Sequence, residues 1–151
     1  MDDEKTLTNR IRQAGLRVTA PRLAVLSAMQ GERQHLDAVS VTEAARKRLG
    51  ALSMQAVYDN LETLVGAGLV RRIQPSGHPA RFESRVGDNH HHTVCRQCGE
   101  TADVDCAASY RPCLEPVMDN GFLIDEAEVI YWGLCPRCRQ NTIEIKPKEQ
   151  Y

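Results

Sequence analysis

The sequence predicts a two-part chain: a mainly α winged helix over residues 1–85, then an α+β half over residues 86–151. Three features carry that reading. Short helix-period patterns fill the chain up to Val65 and are followed by a hairpin rich in arginine. The pattern changes to strands from about Val86. Two Cys-x-x-Cys pairs, Cys95/Cys98 and Cys135/Cys138, bracket the second half.

The elements follow in order. Glu4 to Ala14 predicts a short helix with Leu7 and Ile11 on one face, ended by Gly15. Thr19 caps a second helix that carries Pro21 in its first turn and Leu23, Val25, Leu26 and Met29 beyond it. Residues 31–37 read as a loop containing His35. Ser40-Val41-Thr42-Glu43 has the capping-box pattern and is expected to open a third helix running to about Leu49. Ser53 is expected to cap a fourth, running to Val65, with Val57, Leu61, Leu64 and Val65 on its core stripe. Gln55, Tyr58, Asp59 and Glu62 lie off that stripe. Two β-runs, Leu69–Gln74 and Ala80–Ser84, form the hairpin, with Arg71, Arg72 and Arg81 at its base and edge. In a winged helix the fourth helix enters the major groove, while Arg17, Arg22 and the wing arginines Arg71 and Arg72 hold phosphates.

Beyond Val86 strands are expected at His92–Val94 and Thr101–Asp105, a broken helix over Cys106–Met118, and a long apolar β-run over Gly121–Leu134. That run is too apolar to be solvated on both faces, so a second layer or a second subunit should cover it.

Composition sets the outer limits. The 151 residues are 42% hydrophobic and 26% charged, which argues against both disorder and a membrane protein. The formal net charge of −1 hides an asymmetry. There are 13 Lys/Arg against 9 Asp/Glu through Arg85, and 6 against 11 from Val86 onward. A basic half joined to an acidic, ligand-rich half suits a chain that grips nucleic acid with one part and senses something with the other.

Four thiolates in two knuckles form a closed tetrahedral set for a structural Zn²⁺. Gly99, directly after the first pair, suits the tight turn of such a knuckle. No signal peptide or long apolar run is visible, so a reducing cytoplasm is expected and zinc is favoured over disulfides. A second site is legible nearby. On a strand His90 and His92 share one face while His91 points away. Glu83 and Asp103 are carboxylates able to close on that pair, and His35 can reach it from the interhelical loop. Such nitrogen and oxygen donors suit Fe²⁺, Mn²⁺ or Zn²⁺, and a solvated turn is the competing reading. Cys106 and Cys113, seven apart on the predicted helix, fall on one face. They are either buried small apolar residues or a thiol–disulfide pair. No nucleophile–base pair stands out, so no catalytic role is expected.

The chain resembles the ferric uptake regulator family over nearly its whole length. The resemblance rests on Gly15-Leu16-Arg17-Val18-Thr19-Ala20-Pro21-Arg22, Gln55-Ala56-Val57-Tyr58-Asp59-Asn60-Leu61, Gly68-Leu69-Val70 and Arg81-Phe82-Glu83. It continues through His90-His91-His92, the first knuckle with Gly99, and the second knuckle. The stretches Ser84–Asn89 and Glu126–Gly133 are most similar to the branch that regulates catalase-peroxidase genes.

The resemblance implies a cytoplasmic, homodimeric, metal-dependent repressor on a palindromic double-stranded DNA operator, with a hinge and an α+β C-terminal dimerisation domain. It implies structural zinc on Cys95, Cys98, Cys135 and Cys138, and a regulatory Fe²⁺ or Mn²⁺ on His35, Glu83, His90, His92 and Asp103. Tyr58 matches the family's groove-reading tyrosine. Asp103, where iron-uptake regulators tend to have glutamate, points to peroxide sensing through oxidation of a ligand histidine. An iron-level sensor and a Cys106/Cys113 thiol switch are the alternatives. A further family site that uses a histidine on the last long strand is not expected, because Glu126 and Ala127 stand in that vicinity.

Overall fold

The computed structural model describes residues 3–30, 35–108 and 112–141. The chain folds as two compact units, Met1–Asp88 and Asn89–Tyr151.

The first unit runs α1 (Glu4–Gln13), α2 (Ala20–Ala28), α3 (Ala38–Leu49), α4 (Met54–Gly66), β1 (Arg71–Ile73) and β2 (Arg81–Glu83). Each helix begins at a short oxygen-bearing side chain that accepts a hydrogen bond from an otherwise unpaired first-turn N–H. Asp3 caps α1, Thr19 caps α2 and Ser53 caps α4. The third helix departs from expectation. Asp37 Oδ1 accepts from the Ser40 N–H at 2.8 Å, so α3 opens at Ala38 and the Ser40–Glu43 pattern lies inside it. The stronger cap lay upstream and took the donor that the capping box would have used.

Leu7 and Ile11 of α1, Val25 and Leu26 of α2, Val41 of α3, and Val57, Leu61 and Leu64 of α4 close one apolar core, which Phe82 of β2 completes. After α4 the chain reverses through Gly68 at φ +72°, where an L side chain would be strained. It then enters the antiparallel β1–β2 wing, paired Arg71↔Glu83, Arg72↔Phe82 and Ile73↔Arg81.

The second unit is a three-stranded sheet in the order β4-β3-β5, built from β3 (His90–Cys95), β4 (Thr101–Asp105) and β5 (Ile130–Gly133). β3 pairs antiparallel with β4 and parallel with β5. A five-residue α5 (Pro136–Gln140) follows, which the sequence reading did not foresee.

Two expectations for this unit are corrected. The described part of the predicted 106–118 helix is bends without a helical turn, in keeping with Pro112 and Pro116; residues 109–111 of that prediction lie outside the described residues. The long run over Gly121–Leu134 becomes a strand only at Ile130–Gly133, where β3 offers a ladder partner. Upstream, Phe122 and Leu123 are exposed, and no strand among the described residues pairs with them.

Candidate metal centres and the groove-facing helix

The tetrathiolate is built from two tight turns at the far end of the sheet. β3 ends at Cys95, whose N–H donates to the Glu100 carbonyl at 2.9 Å, and the Gly99 N–H returns to the Cys95 carbonyl at 2.9 Å. Gly99, at φ +76°, allows that reversal. Cys135 is the N-cap of α5, and the Cys138 N–H points at its sulfur at 3.5 Å. All four sulfurs lie within 4.8 Å of one another, with Cys98 and Cys135 3.7 Å apart.

A tetrahedral ion with Zn–S bonds of about 2.3 Å needs sulfur–sulfur edges of about 3.8 Å. The quartet therefore fits Zn²⁺ both in donor chemistry and in spacing. Its protonation is uneven. Backbone N–H groups of Cys135 and Cys98 pull the Cys95 thiol down to about 6, whereas burial and then the neighbouring sulfurs push Cys138 up to about 12. Four like charges cannot gather without a cation, which a bound Zn²⁺ supplies.

The other predicted ligands fall in two separate groups, one within each unit. In the first unit Leu36 forms an isolated antiparallel bridge with Phe82, through bonds of 2.8 and 3.1 Å. Because the pairing is antiparallel, it sets His35, one residue before Leu36, opposite Glu83, one residue after Phe82. His35 Nε2 lies 3.0 Å from Glu83 Oε2, and Glu83 is buried.

In the second unit β3 carries His90 and His92 on one face, with ring centroids 4.9 Å apart. Asp103 sits across from His92 in the β3–β4 register. Both imidazole Nε2 atoms converge on Asp103 Oδ1, each at 3.5 Å. That is long for a hydrogen bond but close to the donor–donor spacing of about 3–3.4 Å around an ion with bonds near 2.1 Å. All five donors are imidazole or carboxylate, which suits Fe²⁺, Mn²⁺ or Zn²⁺ and disfavours a soft ion.

On α4, Gln55 and Tyr58 are exposed, Gln55 opposite the buried Val57, Leu61 and Leu64 and Tyr58 at the flank of that stripe. Gln55 Nε2 donates to Asp59 Oδ1 at 2.9 Å. Glu62, an acidic residue that would repel phosphate, is engaged by Arg72 of the wing, whose guanidinium also lies 5.4 Å above the Phe82 ring. Arg22 donates to the Arg17 carbonyl at 2.7 Å, which brings two of the predicted phosphate contacts to the start of α2. Arg17 is exposed, while Arg71 and Arg22 are half-buried.

Cys106 and Cys113 are half-buried, and their sulfurs lie together with a nitrogen of His91 within 4.8 Å. His91 is the residue that sequence reasoning set aside. The available signal was strand alternation, which turns it away from His90 and His92 and toward whatever lies on the opposite face.

A winged helix with exposed Gln55 and Tyr58, in one chain with a tetrathiolate and converged imidazole and carboxylate ligands, defines a metal-responsive DNA-binding regulator. Residues 13–131 match the Ferric uptake regulator family, and the chain belongs to it. The chain is 61% identical over 128 residues to the transcriptional regulator FurA of Mycobacterium tuberculosis, covering 85% of this chain and 86% of that protein. It is 58% identical over 133 residues to ferric uptake regulation protein 1 of Mycolicibacterium fortuitum, covering 88% and 82%. Among solved structures, the ferric uptake regulator of Pseudomonas aeruginosa with manganese matches with a TM-score of 0.63 at 26% identity, over 85% of this chain and 97% of that one. Family members are metal-dependent DNA-binding regulators. Among the described residues no helix is long and apolar enough to cross a membrane.

Proposed function

We propose that this chain is a cytoplasmic, homodimeric repressor in which one regulatory Fe²⁺ or Mn²⁺ is held by His35, Glu83, His90, His92 and Asp103, and that it responds to peroxide. The observation that supports this reading is the division of donors: each unit carries its own converged, thiolate-free set. Neither set alone satisfies a five- or six-coordinate ion, so metal binding favours the conformation in which both contribute. A metal that binds that conformation tenfold more tightly shifts the equilibrium by about 1.4 kcal/mol.

The shift matters because two winged helices must meet successive grooves of a palindromic operator at a set spacing. In that posture Gln55 and Tyr58 face base edges, while Arg17, Arg22, Arg71 and Arg72 neutralise phosphates. Zn²⁺ on Cys95, Cys98, Cys135 and Cys138 holds the second unit folded, and dimer formation covers its exposed apolar side chains.

The bound ion decides the signal. Fe²⁺, when bound, supplies the one-electron chemistry by which a hydroperoxide oxidises a liganding imidazole. His35, His90 and His92 are the imidazoles placed to take that oxygen, and an oxidised ring is a poorer donor. Asp103 in place of a glutamate supports the peroxide reading. The name of the Mycolicibacterium relative, a ferric uptake regulation protein, favours a second one: an iron-level sensor that binds DNA with iron and releases it without.

Operator binding with Mn²⁺ and with Fe²⁺, each with and without peroxide, separates the two. Loss of binding confined to the iron-plus-peroxide sample, with an oxygen adduct on one of the three histidines by mass spectrometry, is expected. Binding that follows iron and ignores peroxide selects the iron-level sensor. Undiminished binding by a chelated protein that still holds its zinc rejects metal gating altogether.

A further inference from the structure

The face of β3 opposite His90 and His92 carries a cluster that the regulatory reading does not use. His91 is buried, with 3% of its surface exposed. The Val129 backbone N–H donates to its Nδ1 at 3.2 Å, so the proton of the neutral ring resides on Nε2. That Nε2 lies 3.1 Å from Cys113 Sγ, and Cys106 Sγ completes the cluster within 4.8 Å. Both cysteines are half-buried rather than enclosed.

Two chemistries compete for such a site. One imidazole and two thiols are a donor set for a soft cation. Ligation through Nε2 requires a lone pair there, however, and the Val129 hydrogen bond places a proton on that atom instead. The N–H is aimed at sulfur, an arrangement that favours negative charge developing on Cys113. We propose that Cys106 and Cys113 are a dithiol that small hydroperoxides oxidise to an intrachain disulfide, with His91 positioning Cys113 and stabilising its sulfur. This goes beyond the metal-centred reading and is independent of it.

The step balances as two displacements. The thiolate of Cys106 attacks the peroxide: an S–O bond forms, the O–O bond breaks, and the leaving oxygen departs with a proton as water or alcohol. Cys113 then attacks the resulting sulfenic sulfur: the S–S bond forms, the S–O bond breaks, and water leaves. Two thiols lose two electrons and two protons, and one hydroperoxide is reduced. Burial first, and then the hydrogen bond with Cys106, hold the Cys113 thiol above its ordinary range. The His91 N–H at its sulfur suits Cys113 to the second, resolving step, in which negative charge must develop there as it attacks.

The test uses the full chain with zinc retained and Mn²⁺, not Fe²⁺, supplied, so that iron-driven histidine oxidation is silent. Hydrogen peroxide is added, and the thiols are counted by alkylation after denaturation and chelation, with peptide mapping. The expected result is a fall from six alkylatable thiols to four, a mapped Cys106–Cys113 cross-link, and unchanged zinc content before denaturation. Cys106→Ser should keep all five remaining thiols, whereas Cys113→Ser should lose one of its five, with Cys106 held as a sulfenic acid and no cross-link formed; both should still bind operator with Mn²⁺. His91→Phe should slow the cross-link, and His91→Gln, which restores an N–H donor, should recover most of the rate.

Six thiols surviving in wild type would overturn the proposal. So would a cross-link within the zinc quartet accompanied by zinc release, or an added soft cation retained by wild type and lost from Cys113→Ser. None of these outcomes bears on iron-dependent peroxide sensing, which the Mn²⁺ preparation does not engage.

Discussion

The first unit closes over Leu7, Ile11, Val25, Leu26, Val41, Val57, Leu61, Leu64 and Phe82, all essentially inaccessible to water. Among the described residues of the second unit the buried side chains are His90, His91, His92, Val94, Cys95 and Cys138, while Val117, Met118, Phe122 and Leu123 stand in solvent. The contrast shows two ways of holding a small fold. Burial of apolar side chains holds one unit. Among its described residues the other spends its interior on metal-ligand side chains and leaves apolar side chains outside, which fits a unit that a cation helps to hold and, in the proposed dimer, a second subunit covers.

The largest effect should come from removing zinc. Structural zinc in small metal-dependent folds is worth about 10–16 kcal/mol of apparent binding free energy, far more than a unit with so few buried aliphatics can replace. Cys138→Ser, or strong chelation, should leave Asn89–Tyr151 sensitive to limited proteolysis while Met1–Asp88 stays protected. Continued protection of the second unit in zinc-free protein would erase the contrast.

The reciprocal change, Leu61→Ala, should cost the first unit about 2–5 kcal/mol in denaturant unfolding, because the cavity lies among residues that cannot all collapse into it. Zinc content by metal analysis should not change.

The smallest effect on folding, and the sharpest on assembly, is expected from Phe122→Asp. Surface changes at positions without packing partners stay within about 0.5 kcal/mol. Sedimentation should nonetheless show the dimer lost, whereas a stable Phe122→Asp dimer would mean that a different face pairs.

Much of the fold was legible because its signals are local. Thr19 and Ser53 cap the helices they were expected to cap, and the Val57–Leu61–Leu64 stripe is the buried face of α4. The errors fell where a longer-range partner decided. Ser40 looked like a cap until Asp37, three residues upstream, took its N–H. The Gly121–Leu134 run had the residues of a strand, yet only Ile130–Gly133 found one to pair with. Cys106 and Cys113 were expected on one face of a helix; no helix forms over the described residues there, and the chain brings the two sulfurs together by another path.

The candidate sites divide the same way. Both Cys-x-x-Cys knuckles, and the shared face of His90 and His92, follow from residue spacing, because a two-residue loop and strand alternation are properties of a few adjacent backbone dihedrals. Three placements needed the folded chain. The Leu36–Phe82 bridge brings His35 to Glu83, the β3–β4 register brings Asp103 to two imidazoles, and the Val129 N–H chooses the His91 tautomer. Each depends on a hydrogen bond between segments many residues apart, and no local pattern encodes which distant N–H or carbonyl a backbone group will meet.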